Sequence, residues 1–137
     1  MASNPLKMLI VDDSAISRKI LKAELTQSGY SNFVEAQTGE EALKFLYEER
    51  NSNPTEKFAL IFMDINMPGL NGLETSKKIR EMTGGYAQIP IIMVSAESDK
   101  AKIIEALTIG VSDYILKPFA KGSVEEKIKK VIEKIKK

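Results

Sequence analysis

Short apolar runs alternate along the chain with segments whose apolar residues recur every three or four positions. Runs of this length are typical of strands, whereas the recurring spacing is typical of amphipathic helices. Five strands are predicted, and they lie near residues 7–11, 32–37, 58–63, 91–94 and 113–116. A helix is predicted after each strand, and the five helices begin near Ser14, Gly39, Leu73, Ser98 and Ser123. Ser14 and Ser98 are the expected N-caps, and Gly29 and Gly110 are expected to end the first and fourth helices.

The apolar positions of four helices indicate the faces expected to pack on the sheet. They are Ile16, Ile20, Leu21 and Leu25 in the first helix, Ala42, Leu43, Leu46 and Tyr47 in the second, Ile103, Ile104, Leu107 and Ile109 in the fourth, and Val124, Ile128, Val131, Ile132 and Ile135 in the last. We interpret the lysines of the last helix as a solvated face, with an acidic docking partner as the alternative.

Strict alternation of strand and helix predicts an α/β fold in which a parallel sheet carries helices on both faces. The third strand is apolar from Phe58 to Met63, as expected of a strand covered on both sides. In such sheets, ligands bind beyond the carboxyl ends of the strands. The residues at or directly after the ends of the five strands are therefore the first candidates for function, and they are Asp12 with Asp13, Gln37, Asp64, Ser95 and Lys117.

Composition narrows the chemistry available at that edge. The chain has 137 residues, a length that predicts one domain over residues 1–137. It contains no Cys and no His, which excludes disulfides, thiolate zinc sites, cysteine nucleophiles and histidine-based catalysis. The 20 basic and 19 acidic side chains give a net charge of +1, without the basic excess of a nucleic-acid-binding domain. No apolar run could span a bilayer and no signal peptide is read, so we expect a cytoplasmic protein without membrane insertion.

Asp12, Asp13 and Asp64 are expected to converge, and three neighbouring carboxylates repel one another unless a cation joins them. Mg²⁺ prefers oxygen ligands and often shares carboxylate sites with phosphate groups, so a magnesium site is predicted here. A carboxylate can also act as a nucleophile and become an acyl phosphate. The charge of the transferred group could then be neutralised by the metal, the Lys117 ammonium and the Ser95 hydroxyl.

Four short motifs occur in order, each at the end of a predicted strand. They are Asp12-Asp13, Met63-Asp64-Ile65-Asn66-Met67-Pro68-Gly69, Ser95-Ala96 and Lys117-Pro118-Phe119. Together these motifs resemble the response-regulator receiver family of bacterial two-component signalling over about residues 6–136, and most closely its single-domain chemotaxis members. The resemblance implies a doubly wound, flavodoxin-like sheet of five parallel strands in the order 2-1-3-4-5, with five helices.

The resemblance also implies a role for each residue of the acidic site. Asp64 is the phosphoacceptor, Asp13 binds Mg²⁺ directly, and Asp12 binds it through water. The backbone carbonyl of Asn66 completes the metal site, and Mn²⁺ could replace Mg²⁺. The expected phosphodonor is a histidine kinase.

A second group of positions matches the switch of the family. Ser95 donates a hydrogen bond to the phosphoryl group, Lys117 pairs with it, and Tyr114 is the aromatic residue that turns inward. In the family, these changes repack the face made by helix 4, strand 5 and helix 5, which then binds an output protein. The Lys117-Pro118 peptide bond is expected to be cis. Ordinary strand packing is the alternative role for Tyr114.

Two further positions concern the lifetime of the phosphorylated state. Asn66 and Glu97 lie two residues after Asp64 and Ser95, and polar side chains there can orient an attacking water. We therefore predict a short-lived phosphoaspartate. Catalysis is expected to be limited to self-phosphorylation from a phosphodonor and autodephosphorylation. A monomer is the expected state, with pairing through the helix 4–strand 5–helix 5 face after phosphorylation as the alternative.

Other functions fit parts of the pattern. A phosphorelay intermediate or phosphate sink, returning the group to a histidine phosphotransfer domain, would use the same site. A Mg²⁺-dependent phosphohydrolase would need a general acid two residues after Asp64, where Asn66 stands. A flavodoxin-like electron carrier is disfavoured because Asp12 and Asp13 would repel the phosphate of its cofactor. A receiver that is part of a larger hybrid kinase is a further alternative.

Overall fold

A computed structural model describes residues 4–51, 53, 56–83 and 85–136. Strands and helices alternate as predicted, and their bounds are β1 (Asn4–Val11), α1 (Ala15–Gln27), β2 (Tyr30–Ala36), α2 (Gly39–Glu49), β3 (Phe58–Met63), α3 (Gly72–Arg80), β4 (Ile91–Ser95), α4 (Lys100–Ile109), β5 (Asp113–Leu116) and α5 (Ser123–Lys136). Among the described residues, five strands form one parallel sheet in the order β2-β1-β3-β4-β5. The predicted fold class and strand order are confirmed.

The sheet has an apolar core on each face because its central strands carry apolar side chains in both directions. Residues 60–63 of β3 and all of β4 are buried. One core cluster joins the sheet to α2, α3 and α4 through residues such as Leu46 and Ile79. A second cluster joins it to α1 and α5 through residues such as Leu25 and Ile128. This packing makes the central strands a firm support for whatever lies at their carboxyl ends.

Helix starts follow the predicted capping with one exception. The Ser14 hydroxyl accepts a hydrogen bond from the Ser17 N–H, as expected. The predicted cap Ser98 is wrong, because α4 begins one residue later and the Asp99 carboxylate accepts a first-turn N–H at 2.9 Å. A carboxylate is favoured there because its charge also meets the positive end of the helix dipole. Gly110 ends α4 as predicted, with φ +106°, a conformation that only glycine adopts readily.

The predicted packing face of α1 is partly wrong. Ile16 and Ile20 are 73% and 54% exposed, while Leu21 and Leu25 are buried. At about 3.6 residues per turn, Ile16 and Ile20 lie well round the helix from Leu21 and Leu25, so both pairs cannot meet the sheet. The stripe that does meet it contains Arg18 in addition to the two leucines.

The predicted face of α4 is also partly wrong. Ile104 and Leu107 are 61% and 52% exposed, and Ala106 is the buried residue of this helix. Ile103 and Ile109 are half-buried. The reason lies in the topology, since α4 connects β4 to the edge strand β5 and little sheet surface is left to cover its outer side.

Among the described side chains, the predicted faces of α2 and α5 agree with the structure except at one position. Tyr47 of α2 is 61% exposed, whereas Leu46 beside it is buried. In α5, Val124 and Val131 are buried as predicted, and the side chain of Ile135 lies outside the described residues. No helix in the described parts of the chain is both long and apolar enough to cross a membrane.

Candidate functional site

Neighbouring strands bring the predicted residues together at the carboxyl edge of the sheet. β1 and β3 pair in parallel, and the Asp64 N–H continues their ladder by donating to the Val11 carbonyl at 2.9 Å. Asp12 therefore stands next to Asp64. β4 and β5 pair in the same way, and the Lys117 N–H donates to the Ser95 carbonyl at 2.9 Å. These backbone hydrogen bonds thus fix the relative positions of the backbone at Asp12, Asp64, Ser95 and Lys117.

Three carboxylates meet at this edge. Asp12, Asp13 and Asp64 each offer an oxygen, and these three oxygens lie within 4.8 Å of one another. Asp12 and Asp64 are 6% and 9% exposed, whereas Asp13 is open to solvent. A divalent cation that prefers oxygen ligands fits this donor set, since the accessible acid leaves room for water ligands. These are the residues that could hold Mg²⁺.

The Lys117 ammonium belongs to the same cluster. Its Nζ donates to the Asp12 Oδ2 at 2.7 Å and lies 3.7 Å from the Asp64 Oδ2. A cation between two buried carboxylates offsets their mutual repulsion, and here it is also close enough to contact an anionic group attached to Asp64. The Lys117-Pro118 peptide bond is cis, as predicted.

Burial raises the pKa of the Asp64 carboxyl. The Ser95 hydroxyl and the Lys117 ammonium oppose this increase by stabilising the charged form, while the nearby Asp12 carboxylate adds to it. Because burial has the largest effect, the ionised carboxylate is less stable here than it would be in water. Such a carboxylate gains from any cation that approaches it, which is a second reason why a metal ion fits the cluster.

Ser95 and Tyr114 meet at the loop between β4 and α4. Ser95 is fully buried, and its Oγ accepts a hydrogen bond from the Glu97 N–H at 3.2 Å. The Tyr114 hydroxyl donates to the Glu97 carbonyl at 2.6 Å. Burial raises the pKa of Tyr114, and the nearby Ser95 hydroxyl acts against that increase. A movement of Ser95 would therefore be transmitted to Tyr114 through the backbone of Glu97, which is hydrogen-bonded to both side chains.

Asn66 and Glu97 come from different loops but lie close together beyond the ends of β3 and β4. The Lys102 ammonium, 3.0 Å from the Glu97 carboxylate, is the main cause of a lowered pKa at Glu97. The Asp99 N–H and the Asn66 side chain contribute in the same direction. The two positions predicted to tune the lifetime are thus neighbours. The role of the Asn66 carbonyl as a metal ligand stays a prediction.

Two residues that shape the site were not predicted from the sequence. Arg18 is 8% exposed, and its Nη1 donates to the Asp12 carbonyl at 2.6 Å. Nothing in the sequence marks it, since an arginine on a helix is usually a surface residue. Gly72 lies so close to the backbone of Asp64 that an added Cβ would stand 2.0 Å from the Asp64 carbonyl oxygen. The sequence places Gly72 just before the predicted third helix, where glycine is common and marks no particular contact.

Comparisons with known proteins agree with this geometry. The family model described as "Response regulator receiver domain" matches residues 8–129. The chain is 40% identical over 127 residues to the chemotaxis protein CheY1 of Helicobacter pylori, covering 93% of this chain and 97% of that protein. It is 41% identical over 127 residues to a chemotaxis protein CheY homolog of Campylobacter jejuni, covering 93% of this chain and 92% of that protein. The crystal structure of the CheX-CheY-BeF3-Mg²⁺ complex from Borrelia burgdorferi matches with a TM-score of 0.81 and 26% identity, covering 93% of this chain and 89% of that chain.

The chain therefore belongs to the response-regulator receiver family. Within the family it is a CheY-like receiver domain, since its CheY relatives match it over nearly their whole length. The resemblance predicted from four short motifs is confirmed. The fold, the strand order and the convergence of the acidic residues agree with that assignment.

Proposed function

We propose that the protein accepts a phosphoryl group on Asp64 and signals by changing its contacts with a partner protein. One observation carries the proposal. Asp12, Asp13 and Asp64 converge within 4.8 Å, and the Lys117 ammonium lies 3.7 Å from the Asp64 carboxylate. This arrangement combines a carboxylate nucleophile with the charges needed to neutralise a transferred phosphoryl group.

In the proposed reaction, a carboxylate oxygen of Asp64 attacks the phosphorus of a phosphohistidine on the donor kinase. An O–P bond forms to Asp64 while the N–P bond breaks, and the histidine nitrogen keeps the electron pair. Lys117 and Ser95 then contact oxygens of the new group. In autodephosphorylation, a water molecule attacks the phosphorus and the O–P bond to Asp64 breaks. Inorganic phosphate leaves, and the free carboxylate is restored.

Asp12, Asp13 and Asp64 would hold Mg²⁺ in this proposal, with the Asn66 carbonyl as a further ligand and Mn²⁺ as a substitute. When bound, the metal would neutralise negative charge on the phosphoryl oxygens. Both carboxylate oxygens of Asp12 already accept hydrogen bonds, one from a backbone N–H and one from Lys117. This supports a water-mediated role for Asp12 and a direct one for the exposed Asp13.

Intact mass spectrometry tests the proposal. Wild-type protein incubated with MgCl₂ and acetyl phosphate is expected to gain one phosphoryl group. The adduct should be absent in Asp64→Asn and in wild-type protein treated with EDTA before the donor. Asp113→Asn is the matched control, because Asp113 pairs with Lys127 at the start of β5, outside the acidic cluster. This control should form the adduct as wild type does.

A second measurement separates rapid hydrolysis from a lack of reaction. Beryllofluoride with Mg²⁺ resembles a phosphoryl group and is not hydrolysed, so its binding can be followed by ¹⁹F NMR. Folded wild-type protein is expected to bind it, and Asp64→Asn is not. If the folded wild type forms no adduct and binds no beryllofluoride, the proposed function is wrong.

The proposed output surface is the face formed by α4, β5 and α5. Ile104 and Leu107 of α4 and Leu116 of β5 are large apolar side chains that remain exposed, and their burial against a partner would be favourable. The Tyr114 hydroxyl, on β5, is bonded to the loop before α4. A rearrangement at Ser95 would therefore act on two of the three elements of this surface, α4 and β5.

Amide NMR shifts test whether the site controls this face. Addition of beryllofluoride and Mg²⁺ is expected to shift amides of residues 96–102 and 114–117 in addition to those around Asp64. Amides of residues 43–49 in α2 provide the internal reference and should shift little. Changes confined to the immediate surroundings of Asp64 would contradict the proposed output surface while leaving the acceptor chemistry intact.

We also propose that the phosphoaspartate is short-lived, because Asn66 and Glu97 present polar groups beside the acceptor. The Glu97 carboxylate is held by Lys102, so it has a defined place from which to orient water. The expected result is a longer half-life of the adduct in Asn66→Leu than in wild type, measured by mass spectrometry after removal of the donor. Lys44→Leu on α2 is the exposed control and should decay as wild type does.

The relatives support a place in chemotaxis signalling. We propose that residues 1–137 form one receiver domain and that the protein is cytoplasmic. A histidine kinase is the proposed donor, and the output is protein binding rather than DNA binding. The Borrelia burgdorferi CheY was crystallised with CheX, which shows a protein partner for that relative. Incubation of the phosphorylated protein with a histidine phosphotransfer domain separates a terminal switch from a relay, since only a relay returns the phosphoryl group efficiently.

A further inference from the structure

Arg18 is a buried arginine beside the acidic cluster that the proposed chemistry does not use. Its Nη1 donates to the Asp12 carbonyl oxygen at 2.6 Å, and its Nε donates to the Glu35 Oε1 at 2.9 Å. Lys22 donates to the second oxygen of the same glutamate at 2.8 Å. The guanidinium is therefore anchored on β2 through Glu35 and binds the turn that follows β1.

The bond to the Asp12 carbonyl has a consequence for Asp13. The Asp12 carbonyl and the Asp13 N–H belong to one planar peptide unit, so a bond that holds the carbonyl also orients the whole plane. The preceding peptide is held as well, because the Asp12 N–H donates to the Ala36 carbonyl at 3.1 Å. The Asp13 side chain is exposed, so its direction depends more on the backbone than on packing.

We propose that Arg18 is a positioning residue for metal binding. By holding the Asp12-Asp13 peptide in one orientation, it keeps the Asp13 carboxylate directed toward Asp64. The inference rests on the proposed function, since it assumes that these carboxylates bind Mg²⁺. The bond is suited to this task because it is buried and its donor is charged, and such hydrogen bonds are among the strongest in proteins.

Charge alone predicts the opposite effect, and this makes the proposal testable. Removal of a positive charge near an acidic cluster should strengthen cation binding. Loss of positioning should weaken it, because Asp13 must then lose conformational freedom when the metal binds. Arg18→Gln removes both the charge and the hydrogen bond to the Asp12 carbonyl, so the direction of the change in Mg²⁺ affinity shows which of the two effects is larger. Arg18→Lys keeps the charge, but an ammonium cannot reproduce the planar fork that reaches both Asp12 and Glu35.

The experiment is a titration of the whole protein with MgCl₂ alone, followed by amide NMR shifts. The Kd for Mg²⁺ is expected to rise about tenfold in Arg18→Gln, the size usual for loss of a group that orients a metal ligand. A smaller rise is expected in Arg18→Lys. Lys22→Gln is the matched control, because Lys22 shares Glu35 but does not bind Asp12. Its Kd should equal that of wild type.

A second readout separates positioning from general damage. At saturating Mg²⁺, the rate of adduct formation from acetyl phosphate should return to the wild-type value in both variants, because Asp64 and Lys117 are unchanged. Mg²⁺ binding by the folded Arg18 variants that is equal to or tighter than that of wild type would overturn the inference. If Arg18→Gln does not fold, the Kd of Arg18→Lys is the deciding measurement. A wild type that binds no Mg²⁺ would instead contradict the proposed function, so the two failures are distinguishable.

Discussion

The strands that carry the proposed acceptor site and the helix that follows Ser95 are built very differently. All five residues of β4 are buried, as are the last four of β3. The contrast extends to the helices, since α3, which begins beside Asp64, buries five of its nine residues while α4 buries one of ten. α4 leaves Ile104 and Leu107 in solvent instead.

In the proposed function, this contrast places the phosphoryl chemistry on the packed strands and the conformational response on α4. Groups that meet a phosphoryl group need fixed positions, and dense packing on both faces of the sheet provides them. α4 buries only Ala106 fully, and polar contacts hold the chain at both of its ends. Tyr114 bonds the loop before it, and Arg80 donates to the Gly110 carbonyl at its end, at 2.8 and 3.2 Å. A helix attached in this way loses little packing when it shifts.

The largest combined effect, on stability and on the proposed chemistry, is expected from Gly72→Ala, where backbone packs directly on Asp64. The added Cβ would stand 2.0 Å from the Asp64 carbonyl oxygen, and a backbone atom cannot move aside as a flexible side chain can. We expect a loss of about 3 kcal/mol in the free energy of unfolding, measured in urea, because overpacking displaces the surrounding backbone. Adduct formation on Asp64 should fall with it.

Gly122→Ala is the control for Gly72→Ala. Gly122 has φ +87°, but nothing lies within 4 Å of an added Cβ. The cost should therefore be about 1 kcal/mol from backbone strain alone, with adduct formation unchanged. Similar small losses in the two variants would mean that the backbone at Asp64 tolerates displacement, against the view that the strands hold the acceptor firmly.

The next effect compares the two regions directly. Ile61→Ala removes a fully buried side chain from β3, whereas Ile104→Ala removes one that is 61% exposed on α4. The expected losses in the free energy of unfolding are about 2–5 kcal/mol for the buried site and within about 0.5 kcal/mol for the exposed one. Comparable losses would show that α4 is packed more firmly than its exposed side chains indicate.

A smaller effect of opposite sign is expected from Asp64→Asn. Burial raises the pKa of Asp64, so the ionised carboxylate destabilises the folded protein at neutral pH, and its removal should increase the free energy of unfolding. In this variant the Lys117 ammonium still has an ion pair with the Asp12 carboxylate, 2.7 Å away, so it is not left as an unpaired charge. The advantage should shrink as pH falls through the raised pKa, because the wild-type carboxyl then becomes neutral.

Thermal unfolding with and without MgCl₂ checks this prediction. Metal binding stabilises only the state that binds it, so Mg²⁺ should raise the unfolding temperature of wild type more than that of Asp64→Asn. A variant that is less stable than wild type at neutral pH without Mg²⁺ would mean that the pairing with Lys117 outweighs the cost of burying Asp64.

The strand ends were predictable because each apolar run stops at a polar residue that must lie at the edge of the sheet. This places Asp12, Asp64 and Lys117 without knowledge of any contact. The faces of α1 and α4 were not predictable, since apolar residues such as Ile16 and Ile104 have helical spacing on the outer side as well. Apolar character alone cannot distinguish a core position from a surface prepared for a partner.

The smallest effect tests the polar attachment of α4. Tyr114→Phe removes the 2.6 Å bond to the Glu97 carbonyl, and about 1 kcal/mol of stability should be lost. Amide hydrogen exchange of residues 97–102 should become faster, while exchange in β4 should change little. Loss of one bond frees this region because little apolar packing holds it.

Tyr86→Phe is the matched control, since it removes the same atom from a firmly packed place. The Tyr86 hydroxyl accepts the Phe58 N–H at 2.9 Å at the start of β3, and the ring is 1% exposed. Its loss should lower global stability by a comparable or larger amount without a local increase of exchange in α4, because the surrounding core still holds the strand. If both variants changed exchange in the same pattern, the strands and α4 would unfold as one unit. A shift of α4 in the proposed switch would then require the strands to open as well, rather than the movement of one helix.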